Sequence, residues 1–213
     1  MTHLHIPDGI MPFWLWAGSY VVIFLLVYYF LNKVKKLSPI IYRKKLVHTG
    51  IISSIMILAM SIDLFLYHPN FSVLSGIILG ANYSIFAAFI INIILSLFGH
   101  GSITTIGLNT LIIFIQMLMG IILFKFTAKI FKNNIFWRIF TTVFVALLVS
   151  TILTIFIITL GGEKWGLHSE EFTVLALIVS FAGIMIESLM SAGAGVYIKS
   201  VKPDIIESQL TTG

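Results

Sequence analysis

The sequence predicts an all-α polytopic membrane protein of about seven transmembrane helices, one of them short or broken. The N-terminus is expected outside and the C-terminus in the cytoplasm. Three observations carry this. Hydrophobic residues make up 59% of the chain and charged residues 10%, against about a quarter charged in soluble domains. Apolar runs of bilayer-spanning length recur from one end to the other. Lys and Arg are gathered into a few short stretches, the pattern that orients membrane helices.

The net charge of +5 is therefore an orientation signal, and no nucleic-acid partner is expected. There is no cysteine, which removes disulfides and thiolate metal sites and leaves histidine, carboxylate and backbone as ligands. No Lys or Arg precedes the first apolar run, and that run is too long for a signal-peptide core, so no cleavable leader is expected. The chain reads as one integral membrane domain over 1–213, with an N-terminal segment 1–11, a transmembrane bundle 12–198 and a cytoplasmic tail 199–213.

The first span is predicted over Pro12 to Leu31, with Pro12 in the first helical turn, where its missing N–H costs nothing. Trp14 and Trp16 fit an interfacial aromatic belt. Lys33, Lys35, Lys36, Arg43, Lys44 and Lys45 form a basic loop, cytoplasmic by the positive-inside rule. Val47 to Tyr67 returns to the outer face at the loop signal Tyr67-His68-Pro69-Asn70. Lys125, Lys129, Lys132 and Arg138 mark a second cytoplasmic loop.

An odd number of crossings must separate His68 from Lys125, yet only two apolar blocks lie between them. The first is long and carries Gly80-Ala81-Asn82 near its middle. It is therefore split into Ser72 to Leu79 and Tyr83 to Phe98. The short piece falls well below the roughly 20 residues of a full span and must be shielded by its neighbours. A re-entrant loop at Gly99 to Thr105 would also repair the parity. Ile103 to Phe124, Phe136 to Leu160 and Val174 to Tyr197 complete the bundle. On this map Lys164 is the one basic residue of thirteen to fall outside. His3, His5, His68, His100 and His168 fall at the outer face, and His48 inside.

The chemistry concentrates in Met1-Thr2-His3-Leu4-His5-Ile6-Pro7-Asp8-Gly9-Ile10. Two imidazoles stand beside a terminal amine, and nitrogen donors suit nickel, copper, cobalt and zinc. The Pro-Asp-Gly turn can send the segment back into the protein. Met1-Thr2-His3 has the amine-amide-amide-imidazole pattern that encloses Ni(II) or Cu(II) in a plane. With Met1 removed, Thr2 and His3 supply three nitrogens, and His5 or His68 is the candidate for a fourth. The bland reading is a tail with incidental histidines.

His68 is followed by Pro69, which disfavours helix at the histidine and leaves its ring on a loop or helix end. Alone it would be an ordinary interfacial histidine. Asp63, an acid within the same span, is a possible acceptor for a ligating imidazole. Glu187 is the other intramembrane acid, either paired within the bundle or in contact with a partner; a packed acid is the bland alternative. Ala192-Gly193-Ala194-Gly195 permits close helix packing, within the chain or with a partner. In the Gly- and Thr-rich stretch from Leu97 to Thr110, Asn109 can hydrogen-bond freed backbone groups, as can Asn82. His100 there is a supporting residue rather than a ligand. No His-Glu-x-x-His, Walker-type loop or Gly-x-Ser-x-Gly is present, so neither enzymatic activity nor ATP hydrolysis is expected of this chain.

Three ordered motifs resemble the CbiM/NikM family, the membrane-embedded substrate-binding (S) components of cobalt and nickel energy-coupling-factor transporters. His5-Ile6-Pro7-Asp8-Gly9 is similar to the family's N-terminal Met-His-Ile-Pro-Asp-Gly signature. His68-Pro69, with Gly76 and Gly80, is similar to its second metal-binding stretch. His100-Gly101-Ser102-Ile103-Thr104-Thr105-Ile106-Gly107-Leu108-Asn109 resembles its His/Asp-Gly-Gly-Leu-Thr-Thr-Leu-Gly-Ala-Asn stretch. The likeness covers about the first 125 residues well.

The resemblance implies a seven-helix fold and a near square-planar site for Co2+ or Ni2+ as transported substrate. Its ligands would be a terminal amine, an amide and imidazole from the signature, and a distal histidine corresponding to His68. It implies a transmembrane coupling subunit and two cytoplasmic ATPase subunits as partners, and is compatible with a small accessory membrane subunit. The imported ion would feed cobalamin or nickel-enzyme synthesis. One departure matters: four residues precede His5, where the family has one. Either Thr2 and His3 take the amine, amide and imidazole roles, or His5 keeps the family position and His3 replaces the amine. The favoured ligand set is Thr2, His3, His5 and His68. The rival reading is a membrane metal sensor or accessory protein, or an S component of altered specificity that binds metal without transporting it.

Overall fold

The computed structural model describes residues 6, 9, 11–62, 68–99, 102–161 and 170–206. Among these are a short helical turn at 203–206, no strand, and the helices α1 Phe13–Val34, α2 Pro39–Met60, α3 Ser72–Leu79, α4 Ala81–Leu97, α5 Ile106–Ile130, α6 Ile135–Gly161 and α7 Glu170–Val201. Four of them, α1, α5, α6 over Ile135–Thr159 and α7 over Ile178–Val201, are long and apolar enough to cross a bilayer. α4 is apolar with 17 residues, about 25 Å at 1.5 Å per residue. α3 has 8, about 12 Å, and cannot cross alone.

The break between α3 and α4 falls at Gly80. Its φ of 73° is the left-handed region that glycine enters freely, and its carbonyl accepts from the N–H groups of Tyr83 and Ser84 at 3.2 and 3.1 Å. Asn82 lies within the first turn of α4 rather than in the break. Three boundaries differ from expectation. Pro12 is the N-cap of α1, with extended backbone. α2 begins at Pro39, its N-terminus capped by Ser38 accepting from the Ile41 N–H at 3.5 Å. Helix therefore continues through Arg43, Lys44 and Lys45, because Lys and Arg are good helix formers whose stems lie along apolar surface. For the same reason Lys125 and Lys129 belong to α5, and Arg138 belongs to α6.

α5 packs against α1, α3, α4 and α6. Its contact with α3 is backbone to backbone: a Cβ on Gly76 would collide with the Met117 carbonyl, and one on Gly120 would stand 2.6 Å from the Val73 carbonyl oxygen. At one end of the bundle the Tyr20 hydroxyl donates to the Ile103 carbonyl, so the start of α1 meets the entry to α5. Ser96 of α4 donates to the Ser102 carbonyl at 3.3 Å at that same end. At the other end, Ile41, Lys44, Lys45 and His48 of α2, Ile78 of α3, and Asp204 and Ile205 of the tail surround a cavity of about 320 Å³. The first basic segment and the C-terminal tail thus share one end of the molecule. α3 runs towards that end and α4 leaves it.

Arg138 is buried at the start of α6. Its Nε and Nη2 donate to the Phe124 carbonyl at 3.0 and 2.8 Å, and its guanidinium lies 3.6 Å from the Phe124 ring centroid. The small-residue run on α7 is used within the chain: Ala192 is fully buried, and Gly195 abuts the Ile139 side chain.

Candidate metal site

Ile6 fixes the N-terminal segment. Its N–H donates to Asn109 Oδ1 at 3.0 Å, and its carbonyl accepts from the Thr105 hydroxyl. Asn109 Nδ2 donates in turn to Thr105 Oγ1 at 3.3 Å. The Ile6 side chain is fully buried in an apolar cluster with Met11, Leu108, Ile112 and Ile158. The backbone groups of an isolated segment entering a bundle need partners, and the first turn of α5 supplies them. Asn109 therefore serves the backbone of the N-terminal segment rather than that of its own Gly- and Thr-rich stretch.

His68 stands on irregular chain just before α3, as the Pro69 signal suggested. It is half-buried with its Nδ1 atom inside the protein, and Asn70, two residues on, is buried among the middles of three helices. The pull comes from a polar network that the apolar helices can satisfy nowhere else. Gln116 Oε1, midway along α5, accepts from Asn70 Nδ2 at 3.1 Å and from the Ser72 hydroxyl at 2.6 Å. Gln116 Nε2 donates to Ser150 Oγ of α6 at 2.8 Å. Asn70 Oδ1 accepts from the Ser72 N–H at 2.7 Å. Glu187 of α7 accepts from the N–H groups of Asn70 and Phe71 at 3.2 and 2.9 Å. The N–H groups of Asn70, Phe71 and Ser72 at the start of α3 thus have partners, and the Glu187 side chain faces the positive end of that helix.

The two anchored segments share one stripe of α5. Asn109 and Gln116 are seven positions apart in the sequence, two turns and about 10.5 Å along the axis, on nearly the same face. Asn109 holds Ile6, the residue after His5. Gln116 holds Asn70, two residues after His68.

Of the expected site residues, the structure places His68 and Asn109. Thr2, His3, His5, Asp63 and His100 lie outside the described residues. Among the described residues, no three His, Cys, Asp or Glu side chains gather. Glu187 is fully buried and accepts backbone N–H groups within the bundle. The sequence reading missed Thr105, Asn70, Gln116 and Ser150. The available signal was the spacing of Asn109 and Gln116, two amide side chains at helical period in an otherwise apolar run.

Apolar helices of membrane-spanning length packed around a short, buried half-crossing helix define a multi-pass membrane protein. The chain belongs to the CbiM family, described as the cobalt uptake substrate-specific transmembrane region, which it matches over residues 5–205. A solved structure described as that of a transition metal transporter is similar in fold, with a TM-score of 0.79, 16% sequence identity and 98% of each chain covered. No curated protein matches the sequence.

Proposed function

We propose that this protein is the membrane-embedded S component of an energy-coupling-factor importer for Co2+ or Ni2+. Its ligands are drawn from Thr2, His3 and His5 of the N-terminal segment together with His68. The family match supports metal uptake. The observation that supports the site is the pair of anchors on α5, Asn109 to Ile6 and Gln116 to Asn70, which tie the residue after His5 and a residue near His68 to one stripe. That the match begins at His5 supports His5 as the signature histidine, with His3 supplying the nitrogen a shorter terminus would have given.

On this reading the bundle is a single membrane domain of seven segments with the N-terminus outside. α3 and the turn before it act as one shielded crossing, and the basic end faces the cytoplasm. The ion arrives from outside and is held as substrate. A transmembrane coupling subunit and two cytoplasmic ATPases supply the energy for its release inward.

The test is uptake of labelled cobalt and nickel by cells carrying the protein with and without its coupling subunits. Accumulation that depends on the coupling subunits, and on His68, is the expected result. Binding without accumulation in the full complex would instead identify a sensor or accessory protein.

A further inference from the structure

Glu187 is fully buried within α7. A carboxylate in a membrane bundle is costly unless its surroundings compensate it. Here it accepts the backbone N–H groups of Asn70 and Phe71, which follow His68 by two and three residues. Phe71 has a φ of 52°, a left-handed conformation that phenylalanine seldom adopts and that its surroundings must enforce. Pro69 stiffens the link between His68 and this turn. On its other side the turn is held by Gln116, itself bonded to Ser150 of α6. α7 packs mainly on α6, so the Glu187 carboxylate is its reach across to the start of α3.

We propose that Glu187 is a positioning residue for the metal site: through the Asn70–Phe71 turn it fixes where the His68 imidazole stands, so that a shift of α7 changes the hold on the ion. The inference rests on the reading of His68 as a ligand. It adds a route by which α7, which packs mainly on α6, governs capture and release.

The test uses the full-length protein in detergent, titrated with Co2+ and with Ni2+. Affinity, the visible absorption of the bound ion and the unfolding temperature of the metal-free protein are all recorded. Glu187→Gln keeps one carbonyl acceptor but turns an amide NH2 towards a backbone donor. It should weaken binding on the order of tenfold or more and shift the absorption band. Glu187→Asp, with both acceptor oxygens retained, should recover part of each. A folded Glu187→Gln protein with unchanged affinity and spectrum, even one that unfolds at lower temperature, would overturn the proposal and leave Glu187 a structural cap. If Glu187→Gln does not fold, Glu187→Asp decides in the same assay: a shifted band supports the proposal and an unshifted one overturns it. His68→Ala, measured in parallel, separates the two levels. Retained affinity there overturns the ligand reading itself, whereas lost affinity with a silent Glu187→Gln overturns this inference alone.

Discussion

The backbone N–H of Ile6 donates to Oδ1 of Asn109 at 3.0 Å, across 103 positions of sequence. That bond, with the Thr105 hydroxyl on the Ile6 carbonyl, ties Ile6 to the start of α5. Asn109→Leu removes the acceptor and strands a buried N–H. Such a loss costs about 1–3 kcal/mol, and affinity for Co2+ or Ni2+ should fall about 10–100-fold, as for other residues that orient ligands. Asn109→Asp keeps the acceptor for Ile6 and should fall less. Metal competition titrations on both variants check the order.

Gln116 is the hub on the His68 side, serving Asn70, Ser72 and Ser150. Gln116→Leu matches its bulk but leaves three buried polar side chains short of a partner. Their hydroxyls can turn back to helix carbonyls, so the expected loss is about 1–3 kcal/mol rather than the sum of all three. Thermal unfolding in detergent measures it, and affinity for metal should fall with it.

The α3–α5 contact makes a sharper steric prediction. A methyl group on Gly76 meets the Met117 backbone, whereas nothing lies within 4 Å of the corresponding point on Gly193. Gly76→Ala must push α3 away from α5, and overpacking of this kind costs about 1–3 kcal/mol. Gly193→Ala should be close to neutral. Paired unfolding temperatures of the two variants provide the comparison.

At the basic end, Arg138 joins α6 to the Phe124 carbonyl and ring. Arg138→Lys keeps the charge but loses the two-pronged donation and the planar stacking. The expected cost is about 1.5–3 kcal/mol, in the range for a hydrogen bond from a charged donor. Because the site lies two or more turns away along α5, metal affinity should change little. Stability and binding measured on the same sample separate the two effects.

Much of the architecture was legible from composition and charge. The split at Gly80 followed from a parity argument joined to a small-residue break, and α3 has the predicted bounds. The start of α2 was not legible, because Arg43, Lys44 and Lys45 read as a loop although they are compatible with helix. The depth of the His68 turn was hidden for a different reason. Its position depends on Gln116, Ser150 and Glu187, which lie on three other helices, and no local pattern states which faces meet. Asn109 was read as a partner for freed backbone, but the choice of Ile6 as that backbone appears only in three dimensions.

The central claim is that His68 and the N-terminal segment hold one ion between them. Elemental mass spectrometry of the purified protein, loaded with Co2+ and with Ni2+ and compared with His68→Ala, tests it most directly. The account predicts a single bound ion per chain in the wild type and none retained by a folded His68→Ala protein. Equal metal content in the two would contradict it.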